Sequence, residues 1–96
     1  MIDVRETEVF SQWLSGLRDV RAKAEVARRV RCLALGNPGD VKPVGEGVSE
    51  LRIHYGPGYR VYYVQRGSLL IALLYGGDKR SQAQDIILAL KLAKEV

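Results

Sequence analysis

Arg52, His54, Arg60 and Tyr62 are the residues whose types and spacing suit chemistry on a phosphodiester. They occupy alternate positions in two stretches, VSELRIH and YRVYYV, that switch between apolar and polar residues. In a β-strand such alternation sends every second side chain to one face. Glu50, Arg52, His54, Arg60 and Tyr62 therefore share one face, and Leu51, Ile53, Val61 and Tyr63 share the other. Intramolecular cleavage of RNA needs a base for the 2′-hydroxyl, an acid for the leaving 5′-oxygen, and cations at the phosphate. A guanidinium forks onto two phosphate oxygens, which suits Arg52 and Arg60. An unperturbed imidazole titrates near ~6.5, so His54 suits either proton role. Two flanking cations, Arg52 and Arg60, favour its neutral form. Tyr62 is suited to stacking a base or donating a proton. The competing use of the same residues is a solvated sheet face with its arginines paired to Glu50.

These residues belong to a stretch from Ser49 to Lys79 that reads as a three-strand antiparallel meander, with turns at Gly56-Pro57-Gly58 and Arg66-Gly67. A three-residue first loop pairs Tyr55 with Tyr59. It then sets His54 opposite Arg60, Arg52 opposite Tyr62, Glu50 opposite Val64, Ile53 opposite Val61 and Leu51 opposite Tyr63. The third strand, LLIALLY, is apolar on both faces and must be covered on both. Gly76-Gly77 reads as the point where the chain leaves the sheet, close to another backbone.

Ahead of the meander, residues 2–6 form a candidate strand and Thr7 a helix cap. Phe10, Trp13, Leu14 and Leu17 recur at helical spacing over 8–17. Asp19 caps a second helix to Leu35, with Ala22, Val26, Ala27, Val30, Leu33 and Ala34 on its apolar face. Arg21, Arg28, Arg29 and Arg31 form a solvated row on the other, and Gly36 closes the helix. The segment 41–47 reads as a connecting loop carrying Lys42. After the meander, Ser81 caps a third helix with an apolar stripe at Ala83, Ile86, Ile87, Leu90 and Ala93, the one remaining element able to cover the functional face. The expectation is one α+β domain over residues 1–96, in the order β-α-α-β-β-β-α. An antiparallel sheet packs on an αα-hairpin, with a C-terminal helix on the far side.

Composition narrows the class. The chain has 96 residues, 15 Lys and Arg against 11 Asp and Glu, and a net charge of +4, a mild bias toward polyanionic partners. One cysteine, Cys32, excludes an internal disulfide, and no Cys/His spacing suits a metal. No cofactor is implied. The N-terminus lacks the basic and apolar regions of a secretory signal, and the longest apolar run, Leu69 to Tyr75, is too short to span a bilayer. The cytoplasm is the expected location, with no membrane partner.

The strings GDVKPVGEGVSELRIHYGPGYRVYY and LLYGGDK, set behind a helical hairpin, resemble the RelE/ParE superfamily of type II toxin–antitoxin toxins, and within it the HigB-like addiction-module killer branch. The resemblance covers essentially the whole chain. It implies an mRNA endonuclease that acts in the ribosomal A site and inhibits translation, with the ribosome, mRNA and a cognate helix-turn-helix antitoxin as partners. It implies that an acidic or apolar antitoxin segment covers the basic face or displaces the C-terminal helix. Arg60 falls on the superfamily's Gly-Tyr-Arg arginine, Arg52 on a strand lysine and Lys79 near a basic residue after the last strand. With His54, added on its own chemistry, these three form the expected catalytic set. Lys42, Tyr62 and Arg80 are the expected RNA contacts. Two departures leave the general acid and base open: Asp85 stands nearest a C-terminal tyrosine of RelE-like nucleases, and a C-terminal histidine of the HigB type is missing. Two other readings remain, a non-enzymatic gyrase inhibitor like the ParE branch and an inactive relic that binds only its antitoxin.

Overall fold

The computed structural model describes residues 2–96. Nine elements follow in the order β1 (Asp3–Glu6), α1 (Glu8–Gly16), α2 (Val20–Ala34), β2 (Val41–Gly45), β3 (Val48–Ile53), β4 (Tyr59–Arg66), β5 (Leu70–Asp78), a 3₁₀ turn (Lys79–Ser81) and α3 (Gln82–Ala93). The sheet has five strands in the order β1-β5-β4-β3-β2. It is mixed rather than antiparallel, because β1 runs parallel to β5 while the other neighbours are antiparallel.

The helix boundaries follow from local chemistry. Thr7 Oγ accepts from Phe10 N at 3.0 Å and donates to Leu74 O at 2.8 Å, which starts α1 and fastens it to β5. Asp19 accepts from the amides of Arg21 and Ala22, and Gly36 follows α2 at φ +85°. Ser81 stands at the N-cap of α3 without a capping hydrogen bond, and the side-chain cap formed nearby belongs to the 3₁₀ turn. Asp78 accepts from Arg80 N at 2.9 Å, whereas Ser81 donates instead to Asp85 Oδ2 at 2.5 Å.

Alternation predicts the sheet faces correctly. Leu51, Ile53, Val61, Tyr63, Ile71 and Leu73 pack with Phe10, Val26 and Leu33 under α1 and α2. On the opposite face Val48, Tyr62, Val64, Ala72 and Leu74 pack with Ala89 and Ala93 of α3. The third meander strand is thus covered on both sides. The stripe of α3 is rotated from its expected position: Asp85, Ala89 and Ala93 are buried, while Ala83 and Ile87 are exposed.

Three further expectations need correction. The β3–β4 register is displaced by two residues: Leu51 lies opposite Val61, Arg52 opposite Arg60 and Ile53 opposite Tyr59. A two-residue displacement preserves both faces, so the apolar pattern does not distinguish the alternatives. The connecting loop decides between them. It spans residues 54–58 and is closed by Tyr55 N to Ile53 O at 2.9 Å and Gly58 N to Tyr55 O at 3.1 Å. Segment 41–47 is not a loop. Val41–Gly45 forms edge strand β2, joined to β3 through Glu46-Gly47, both at positive φ as a tight type I′-like hairpin requires. A bulge between Pro43 and Gly45 breaks its alternation, and glutamate is an uncommon residue for the first turn position.

The third correction concerns Gly76-Gly77, which remains in the sheet. Tyr62 and Tyr63 pair with Tyr75 and Leu73, so Leu74 is an extra residue that shifts the side-chain parity of β5. Gly76 then faces α1 and Gly77 faces α3. A Cβ on Gly76 would stand 2.2 Å from the Trp13 ring, and one on Gly77 would stand 1.9 Å from Asp85 Oδ2. The close approach is therefore to side chains. Gly76→Ala should destabilise the fold by about 1–3 kcal/mol through overpacking, read from urea unfolding; an unchanged midpoint would contradict the Trp13–Gly76 contact.

Candidate functional site

The polar sheet face, expected to be the functional one, is largely an interior surface beneath α3. Glu50 has no solvent exposure, yet carries a carboxylate. Its Oε1 accepts from Arg52 Nε at 3.0 Å and faces Arg60 Nε at 3.7 Å, while Oε2 accepts from Gln82 Nε2 at 2.8 Å. Two guanidinium groups and one amide thus supply the charge and donors that a buried carboxylate needs. The same contacts join β3, β4 and the first turn of α3.

Arg60 is 7% exposed, and its Nε lies beyond hydrogen-bonding range of any acceptor among the described residues. The side chain nevertheless reaches the wall of a concavity of about 410 Å³ that it shares with His54, Lys79 and the Gly56-Pro57-Gly58 turn. Lys79 is exposed at the start of the 3₁₀ turn. His54 lies just beyond the end of β3 rather than opposite Arg60, with its side chain 72% exposed. Its Nε2 sits 2.5 Å from Asp40 Oδ2. That bond holds the Asp40 carboxyl below the usual carboxylate range and engages Nε2 rather than Nδ1.

The other expected residues are dispersed. Arg52 is half-buried, and its carbonyl accepts from Arg29 Nη1 at 2.5 Å. Arg29 also donates to Pro38 O at 2.9 Å, so this member of the arginine row anchors α2 to the segment preceding β2 rather than standing in solvent. Tyr62 is fully buried under α3, and its hydroxyl has no hydrogen-bond partner among the described residues. Burial, followed by the nearby Glu50 charge, pushes its phenol well above the usual range. In this arrangement Tyr62 cannot stack an incoming base. Lys42 is exposed on β2, level with Glu50 in the sheet. Arg80 is exposed and paired with Asp78 at 3.1 Å.

Sequence reasoning missed two participants, Asp40 and Gln82, and named a third, Asp85, without its role in the packing. Asp40 lies 14 positions before His54, with no motif connecting them. Gln82 is one of two glutamines in the first turn of α3, and only the helix phase selects it. Asp85 is 7% exposed and rests on bare Gly77. Burial raises its pKa against the opposing effect of the Ser81 hydrogen bond, with a further rise from the Asp78 charge. Among the described residues, no group of three or more His, Cys, Asp or Glu side chains could hold a metal ion, and no helix is long and apolar enough to cross a membrane.

Fold and site together define a three-layer α+β domain with a carboxylate-anchored arginine cluster opening onto a basic concavity. No family model matches the chain. It is 46% identical over 95 residues to an uncharacterized protein of Haemophilus influenzae (strain ATCC 51907 / DSM 11121 / KW20 / Rd), a match spanning 99% of this chain and 96% of that protein. The chain belongs to the same family as that protein.

Two outcomes follow. Glu50→Ala should cost about 3 kcal/mol or more, because it strands two guanidinium groups around a buried void; a loss below about 1 kcal/mol in urea unfolding would show that the cluster is dispensable. Asp85 gives a pH signature. Its folded pKa is raised, so the native state binds the proton more tightly than the unfolded chain does. Its contribution to stability is therefore greatest below the unfolded pKa and declines as pH rises through the folded value. Asp85→Asn removes this slope, so stability relative to the parent should improve steadily from acid to neutral pH. A pH-independent difference would contradict the assignment.

Proposed function

We propose that this protein is the toxin of a type II toxin–antitoxin module, an endoribonuclease that cuts ribosome-bound mRNA and so inhibits translation. The observation carrying the proposal is the concavity where His54, Arg60 and Lys79 meet at the Gly56-Pro57-Gly58 turn. It brings together a guanidinium, an ammonium and an imidazole on a surface open to a polymer. The ELRIHYGPGYR string and its resemblance to the RelE/ParE superfamily support the same reading.

In this proposal Arg60 and Lys79 hold the scissile phosphate and stabilise the charge that develops on it. Asp40 orients His54, whose Nδ1 takes the proton of the 2′-hydroxyl. The 2′-oxygen attacks phosphorus, the bond to the 5′-oxygen breaks, and the leaving oxygen takes a proton from water or from Lys79. The products are a 2′,3′-cyclic phosphate and a 5′-hydroxyl. Arg52 acts through Glu50 by setting the position of Arg60, rather than by touching RNA. The partners in this reading are the ribosome, its mRNA and an antitoxin that blocks the concavity or displaces α3.

The tie between both arginines and Glu50 favours a second reading, in which the basic surface binds without cutting. Primer extension on cellular mRNA after brief expression separates the two. Codon-phased cuts are expected from the parent chain, and about a 100-fold loss from His54→Ala. Asp40→Asn should lose less, since the base remains. Intact mRNA together with DNA damage would replace the nuclease with a gyrase inhibitor, and undiminished cutting by His54→Ala would remove the histidine from the mechanism.

A further inference from the structure

A second groove, of about 490 Å³, adjoins the basic concavity and shares Pro57 with it. Its floor is the Gly76-Gly77 backbone. β1 pairs with β5 only through Leu73, so this part of β5 has no strand partner on its outer edge. One wall is aromatic. Trp13 and Tyr59 are half-buried, with ring centroids 6.3 Å apart and planes at 65°. The opposite wall is the first turn of α3, where Asp85 presents its carboxyl. Ser81 donates to Oδ2, and Oδ1 has no hydrogen-bond donor among the described residues.

Each wall rests directly on the bare strand, since a Cβ at Gly76 would overlap Trp13 and one at Gly77 would overlap Asp85. The Leu74 bulge sets which face each glycine takes, placing an aromatic ring on one side of the strand edge and a carboxylate on the other. Aromatic walls receive the π-face of any nucleobase. A carboxylate selects a base edge that presents N–H donors. Guanine offers two such donors side by side on its Watson–Crick edge, whereas uracil offers one flanked by acceptors.

We propose that this groove is a nucleobase subsite that seats guanine against Trp13 and Tyr59, with Asp85 accepting hydrogen bonds from its Watson–Crick edge. The inference rests on the phosphate-binding reading of the neighbouring concavity, which would hold the backbone of the same strand. It makes base preference a property of this chain rather than of the ribosome alone.

The test is titration of the ¹⁵N-labelled protein with short single-stranded RNAs, one all-uridine and one with a single central guanosine. Trp13 is the chain's one tryptophan, so its indole N–H gives an unambiguous signal beside those of Gly76 and Gly77. The guanosine-containing RNA should shift all three and bind about tenfold or more tightly than the uridine RNA. Asp85→Asn should bring the two affinities together. Comparing the two RNAs on the parent protein does not depend on that variant folding. Equal affinities with an unmoved Trp13 would overturn the subsite; shifts at His54 and Lys79 in the same spectra would leave the phosphate reading standing. No shift in either groove would remove both. Shifts from guanosine alone at Trp13, with His54 and Lys79 silent toward both RNAs, would retain the base site and remove the nuclease reading.

Discussion

The Glu50 carboxylate is the constraint on which the rest of the site depends. A carboxylate with no water contact must be met by charge and by hydrogen-bond donors, and here both come from three different elements. Arg52 holds it from its own strand, Arg60 approaches from β4 and Gln82 reaches it from α3. This fixes where α3 begins and converts the polar sheet face into an interior surface. It also determines how much of Arg60 remains available. The guanidinium Nε turns toward Glu50, and the side chain still reaches the concavity beside Lys79. Arg52 is drawn inward and serves as a brace.

The second constraint is steric. The extra residue at Leu74 shifts the parity of β5, which turns Gly76 toward α1 and Gly77 toward α3. Trp13 rests on one and Asp85 on the other. Without the bulge the glycines would face opposite sides to those they occupy, and neither contact would form. Charge cluster and bulge therefore act at the same end of the sheet, and the two grooves meet at the Gly56-Pro57-Gly58 turn. The loop that corrects the β3–β4 register is the same loop that forms the shared rim.

Much of the fold was legible because its signals are local. Helical spacing located all three helices, Thr7 and Asp19 acted as the caps their side chains allow, and alternation assigned the faces of β3 and β4 correctly. The failures have specific physical causes. Alternation fixes parity but not offset, so a two-residue displacement of Arg52 relative to Arg60 was invisible. A bulge at Pro43–Gly45 and a glutamate in the hairpin turn concealed β2. Periodicity also cannot say how deeply a face is covered, so Tyr62 read as a contact residue although it is a core residue. The Asp40–His54 and Gly77–Asp85 contacts join residues far apart in order and carry no spacing signal. Arg29 looked like one more solvated charge, because its carbonyl partners belong to every sequence alike.

The central functional claim is that an RNA phosphate sits between Arg60, Lys79 and His54. It is tested most directly by a structure of the protein on the ribosome with mRNA carrying a 2′-deoxy nucleotide at the scissile position, which blocks the attack but preserves binding. The account predicts the scissile phosphate in the concavity, within hydrogen-bonding distance of Arg60 and Lys79, with His54 Nδ1 facing the missing hydroxyl. RNA held instead along the outer arginines of α2, with the concavity empty, would contradict it.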